Sequence, residues 1–173
     1  MQMSDTRHIA ASPAEVYAAL LDPRMLQNCV PGAQEVSGSV EDGYEATVVQ
    51  KVGPVKATFR GRVVLSDLVP NEALRITGDG KGGAAGFAKG GADVRLAPKD
   101  GGTELSYDVE AKVGGKLAQL GSRIIDGFAK KMADQFFTNL QSSLEGPGEA
   151  ADDVAEQAQE PPAKKGWFGK SKS

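Results

Sequence analysis

The residues of this chain that could do chemistry are few, and their neighbours argue against most of that chemistry. Gly78-Asp79-Gly80-Lys81-Gly82-Gly83 has the GxGxxG spacing of a dinucleotide fingerprint, a pattern that works only where a helix begins at the glycines and aims its first amides at a pyrophosphate. Here the next segment, Phe87 to Leu96, alternates as a strand, so the glycines read as places where a sheet bends or something approaches its backbone. Gly169-Lys170-Ser171 has the look of a P-loop ending, but Lys164 stands where that loop needs its first glycine. For nucleophilic catalysis the chain offers Cys29 and several serines with a single imidazole, His8, and no G-x-S-x-G elbow. Asp108 and Glu110 fall on the polar side of an alternating segment and read as solvated charge. One cysteine and one histidine make neither an internal disulfide nor a zinc set. The reading is that of a protein with no catalytic residues and no metal, in which Cys29 and His8 do no chemistry.

The elements that position these residues follow from periodicity. From Gly115 to Leu144, apolar side chains at Leu117, Leu120, Ile124, Phe128, Met132, Phe136, Leu140 and Leu144 recur at helical steps. Because a four-residue step overshoots one turn, the stripe winds around the helix, and Gly121 or Gly127 is the place for a bend. Near the start, Ser12-Pro13-Ala14-Glu15 is a capping box with proline at the first helical position. It opens a short helix that Asp22-Pro23 ends, and Met25 to Val30 adds one or two turns before Pro31-Gly32. Residues before Ser12 form a first strand. From Ala33 to Val113 the period is two, and turns at Asp42-Gly43, Gly53-Pro54, Pro70-Asn71, Gly82 and Gly101 divide the run into six more strands. Val55, Ala57, Phe59, Gly61, Val63 and Leu65 face one way while Lys56, Thr58, Arg60 and Arg62 face the other. An antiparallel sheet with helices on one face is the α+β solution.

Charge is divided unevenly. Residues 1–144 carry 16 Lys+Arg and 17 Asp+Glu, residues 145–163 carry six acids and no base, and residues 164–173 carry four lysines and no acid. A nearly neutral domain argues against nucleic acid. The acidic segment has almost no bulky apolar side chain and is expected to be a disordered linker. Lys164, Lys165, Lys170 and Lys172 around Trp167 and Phe168 make a basic-aromatic tip for an anionic membrane surface. With no long apolar run and no hydrophobic leader core, the chain is expected to be cytoplasmic, held peripherally at the inner face of the cell membrane.

Several segments occur together in a telling order: Val30-Pro31-Gly32-Ala33; Val52-Gly53-Pro54-Val55-Lys56 with Phe59-Arg60-Gly61; Gly80-Lys81-Gly82 with Gly86-Phe87-Ala88-Lys89-Gly90; and Gly114-Gly115-Lys116-Leu117-Ala118-Gln119-Leu120-Gly121-Ser122-Arg123 leading to Phe136-Phe137. In these, residues 5–144 resemble the CoxG family of carbon monoxide dehydrogenase subunits, within the START/Bet v 1-like (SRPBCC) superfamily. Ala33 stands where many members have a cysteine, which weakens any role for that thiol.

The resemblance implies an α+β helix-grip fold, a seven-stranded antiparallel sheet wrapped around a long C-terminal helix, over residues 1–144. It further implies a non-enzymatic accessory role beside a molybdenum-containing carbon monoxide dehydrogenase or related hydroxylase. Membrane recruitment or carriage of an isoprenoid quinone, menaquinone or ubiquinone, goes with that role. An assembly factor with a collapsed cavity and an enzyme acting on a small hydrophobic substrate stay open beside it. On the carrier reading, Val55, Ala57, Phe59, Val63, Phe87, Leu105, Tyr107, Leu117, Leu120, Ile124 and Phe128 line a cavity between the sheet and the first half of the helix. Ala57 and Gly61 leave it volume, and Tyr107 is its polar handle.

Overall fold

The computed structural model describes residues 1–145, so the linker and tip expected beyond Glu145 lie outside the described residues. Strand β1 (Gln2–Ile9) leads into helices α1 (Pro13–Leu21) and α2 (Pro23–Cys29). Their ends are set by local chemistry. The Ser12 hydroxyl accepts from the Glu15 amide at 3.2 Å while the Glu15 carboxylate accepts from the Ser12 amide at 3.0 Å, the reciprocal pair read from the sequence. Asp22 closes α1, and its carboxylate accepts from the Arg24 amide at 2.9 Å to cap α2.

Six strands follow: β2 (Ala33–Ser39), β3 (Gly43–Val52), β4 (Val55–Val69), β5 (Ala73–Lys81), β6 (Phe87–Lys99) and β7 (Gly102–Gly114). With β1 they form one seven-stranded antiparallel sheet in the order β1-β7-β6-β5-β4-β3-β2. β4 runs on past Leu65, where the alternation read from the sequence stops. Asp67, at a φ of 51°, sits in an irregularity between Ser66 and Val69 that resets the pairing before the turn.

Register aligns the inward-facing side chains in rows across the sheet. One row runs Ala46, Gly61, Gly80, Ala88, and the next Val63, Gly78, Gly90, Ala111. Tyr44 on β3 and Val113 on β7 close these rows, and between them, on β4–β6, Val63 is the only bulky side chain, so the middle of the inner face is almost bare. The strands use that bareness: a methyl group on Gly61 would meet the Asp79 carbonyl oxygen at 2.1 Å, and one on Gly90 the Glu110 carbonyl oxygen at 2.2 Å. Only glycine permits so close an approach.

The long helical pattern forms two helices instead of one bent helix. α3 (Lys116–Gln119) and α4 (Ser122–Glu145) are separated at Gly121, whose φ of 91° belongs to glycine. Gly127 lies inside α4. The break lets the two helices bury different residues, Leu117 from α3 and Phe137 and Leu140 from α4.

Three polar contacts seat the C-terminal half of α4. Arg7 donates to Asp134 at 2.7 Å, Asn139 donates to the Cys29 carbonyl at 3.0 Å, and the Ala10 amide donates to Glu145 at 2.8 Å. Around them Ile9, Val16, Leu20, Leu105 and Leu140 are buried together, and the Tyr107 ring stacks on Phe137 at 4.8 Å. One half of the grip is therefore solid. The other half faces the rows of glycine and alanine.

Candidate ligand-binding site

Between the N-terminal half of α4 and the sheet lies a cavity of about 570 Å³. Phe59, Ile76, Ala88, Val109 and Val113 supply its floor, Leu117 comes from α3, and Ile125, Phe128, Ala129, Met132 and Phe136 come from α4. Each floor residue is there because alternation turns every second strand residue inward. A second hollow of about 390 Å³ lies over the glycine rows and shares Val48, Phe59, Ile76, Ala88, Val109 and Ala111 with the first, so the two adjoin. Each falls within the size range of small-molecule sites.

Among the described residues, no Asp, Glu, Lys, Arg or His side chain lines this cavity. Gln50 is its one polar side chain, and the Gln50 amide nitrogen donates to the Pro31 carbonyl. The surface this wall presents to the cavity is nonetheless wholly apolar. What this wall can do is hold an apolar molecule.

The residues expected to line the site divide. Phe59, Leu117 and Phe128 line the larger cavity, and Val63 lines the adjoining hollow. Leu105 and Tyr107 are buried in the solid half. Phe87 and Ile124 are 40% and 41% exposed, Phe87 on the outer side of β6. Val55, Ala57 and Leu120 are on neither wall; Leu120 instead packs near Gly53 of the β3–β4 turn. Gly61 does line the adjoining hollow, as its lack of a side chain led us to expect.

Tyr107 turns away from the apolar cavity. It lines a polar crevice between β1 and α4 with Asp5, Asp126, Lys130 and Asp134, and burial, reinforced by the Asp5 carboxylate, pushes its phenol above the ordinary value. Gln50 is the polar group that sequence reasoning passed over. Its signal was available: in β3 the inward positions Tyr44, Ala46, Val48 and Val52 are apolar or aromatic, and Gln50 interrupts them.

Cys29 is fully buried, and burial pushes its thiol up. His8 is exposed, with Nε2 2.9 Å from the Lys99 carbonyl oxygen. Among the described residues no group of three His, Cys, Asp or Glu could hold a metal ion. Among them, too, no helix is long and apolar enough to cross a membrane.

Comparison with known proteins bears on the fold and the family. A conserved protein from Geobacillus kaustophilus is 28% identical, with a TM-score of 0.78 over 84% of this chain and 95% of that one. A protein from Chromobacterium violaceum is 25% identical, with a TM-score of 0.61 over 84% of this chain and 98% of that one. An uncharacterised protein from Rhizobium leguminosarum, 16% identical with a TM-score of 0.66 over 84% of this chain and 94% of that one, shares the fold. No curated protein matches. Residues 6–145 match the CoxG family, named for a subunit of carbon monoxide dehydrogenase. That match spans almost the whole described domain, and the chain accordingly belongs to the CoxG family of carbon monoxide dehydrogenase subunits, which are accessory and not catalytic.

Proposed function

We propose that this protein carries an isoprenoid quinone, menaquinone or ubiquinone, for a molybdenum-containing carbon monoxide dehydrogenase or a related hydroxylase, and links that enzyme to the membrane. The observation that carries the reading is the cavity of about 570 Å³ whose wall has no ionisable side chain. A prenyl chain gains about 0.8 kcal/mol for each CH₂ removed from water, so burial holds the chain without specific contacts. The absence of acid, base and nucleophile from the wall suits carriage better than turnover. Residues 164–173, with four lysines around Trp167 and Phe168, are the membrane-seeking end of the chain on this reading.

The test is organic extraction of the purified full chain followed by mass spectrometry. A stoichiometric isoprenoid quinone is the expected result. Protein that is free of any lipid and still binds the dehydrogenase would overturn the carrier reading and leave an assembly factor.

A further inference from the structure

The cavity's floor is the inner side of strand segments whose outer side is unusual. Lys51 precedes Val52, Arg60 follows Phe59, Phe87 and Lys89 flank Ala88, and Lys112 precedes Val113. Every inward residue in that set lines the cavity, and every outward one is exposed. In the sheet's register Lys51 is directly opposite Lys56, Arg60 opposite Lys81, and Lys89 opposite Lys112. Like charges directly opposite destabilise a sheet. None of these six cations forms an ion pair with a described carboxylate; the described ion pairs use Arg7, Arg75, Arg95 and Lys99, of which Arg75–Glu110 borders the patch. Asp79, opposite Lys89 and Arg62, is the only acid among these positions on β4–β7. Phe87, 40% exposed, is opposite Lys81 with its ring across Gly114. A near-neutral domain has therefore concentrated six cations against one facing acid, with an exposed aromatic ring among them, on the back of its cavity.

We propose that this patch is a second membrane contact, separate from the C-terminal tip, that lays the cavity-bearing half of the domain on an anionic bilayer. Two observations on the chain itself select the bilayer. First, the patch repeats the composition of residues 164–173, lysines around aromatic rings; two cationic groups repel each other and suit one common anionic surface. Second, six cations in this patch face a single acid, Asp79, so the surface that complements it is broad and anionic, as a bilayer of acidic lipids is. Joining two weak contacts through a spacer makes the second intramolecular, so together they hold far more tightly than either alone.

The inference shares with the proposed function a membrane as the place of work, but it rests on the folded domain and not on any cargo. Its test uses the full chain and phosphatidylcholine vesicles with or without phosphatidylglycerol. Lys81→Glu with Lys89→Glu turns two like-charge pairs into opposite-charge pairs, facing Arg60 and Lys112, and sets one new acid–acid pair against Asp79, so this variant should melt close to the wild-type temperature. It should nonetheless partition onto vesicles containing about one-third phosphatidylglycerol at least tenfold more weakly at physiological salt. Arg24→Glu with Lys99→Glu makes the same change of net charge at the other end of the domain and should keep most of the binding. Deleting residues 164–173 should weaken binding in the wild type and abolish it in the Lys81→Glu/Lys89→Glu variant. Equal partitioning of the patch variant and wild type overturns the proposal, as does equal weakening by the Arg24/Lys99 control. Loss of dehydrogenase binding with vesicle binding intact also overturns it, and assigns the patch to an acidic protein face. Quinone content measured on the same preparations separates the two readings: vesicle binding without quinone would sink the carrier function alone, and quinone without patch-dependent binding would sink this inference alone.

Discussion

Ala88→Phe separates an open cavity from a collapsed one by the sign of its effect. Ala88 borders both hollows and lies opposite Gly80 on one side and Val113 on the other, so a ring at this position extends over a glycine and not into a packed neighbour. An apolar cavity of about 150 Å³ is enough for a benzene-sized guest, and this one measures about 570 Å³. The ring therefore enters with room to spare. Burying it contributes about 1.5–3 kcal/mol to the empty domain, and at about 2–4 °C for each kcal/mol in a chain of this size the melting temperature rises by several degrees. The same ring fills part of the volume a prenyl chain needs, so co-purifying quinone should fall about tenfold or more, the equivalent of roughly 1.4 kcal/mol. In a collapsed core the same substitution overpacks and costs about 1–3 kcal/mol. Differential scanning calorimetry of delipidated protein with mass spectrometry of the extract reads both quantities. A lower melting temperature in the empty variant would refute the open cavity and the carrier argument built on it.

Other perturbations have definite directions. Gly121→Ala should cost about 1–2 kcal/mol because the residue is left-handed, whereas Gly127→Ala, inside α4 with open space around its missing methyl, should gain about 0.5–1 kcal/mol; paired melting curves check the opposite signs. Asp108 accepts from the Ser4 hydroxyl and from Arg95 at 2.9 Å, which together hold its carboxyl below its usual value. A depressed folded-state pKa contributes stability above the unfolded value and loses it as pH falls through the folded one, so Asp108→Asn should be less stable at pH 7 and converge with wild type below about pH 4. Cys29, buried with its thiol pushed up, should resist alkylation in the folded protein and react at once in denaturant.

Much of the architecture was legible because it rests on local rules. The reciprocal bonds of Ser12 and Glu15, the alternation of β4 and the joint at Gly121 need only neighbours in sequence to be recognised. Site residues were harder for a definite reason. Alternation tells which face a side chain takes, and Phe59, Leu105 and Tyr107 do all face inward. It does not tell how far along each strand the helix lies, and that distance puts Phe59 in the cavity and Tyr107 under Phe137. Phe87 failed differently: it opens β6 on the outer side, a parity that becomes visible only when its neighbour Ala88 is seen to line the cavity. The bare rows that make the cavity possible come from five strands, and no single segment reveals them.

Those bare rows also create a problem of alignment. β5 and β6 meet through Gly78–Gly90 and Gly80–Ala88, pairs with almost no side chain to distinguish one register from the next. Sliding β6 by two residues would keep every inward residue inward, matching Gly80 with Gly90, Gly78 with Ala92, and Ile76 with Val94, which an apolar interior tolerates. The outer face does not tolerate it. In the native register Arg75 faces Asp93, bonded at 3.1 Å, and Asp79 faces Lys89. After that slip Arg75 would face Arg95 and Lys81 would face Lys89, two repulsions in place of two attractions. Solvent-side charge thus does the proofreading that a core filled with leucine and isoleucine would ordinarily do, and the interior is left free to stay empty.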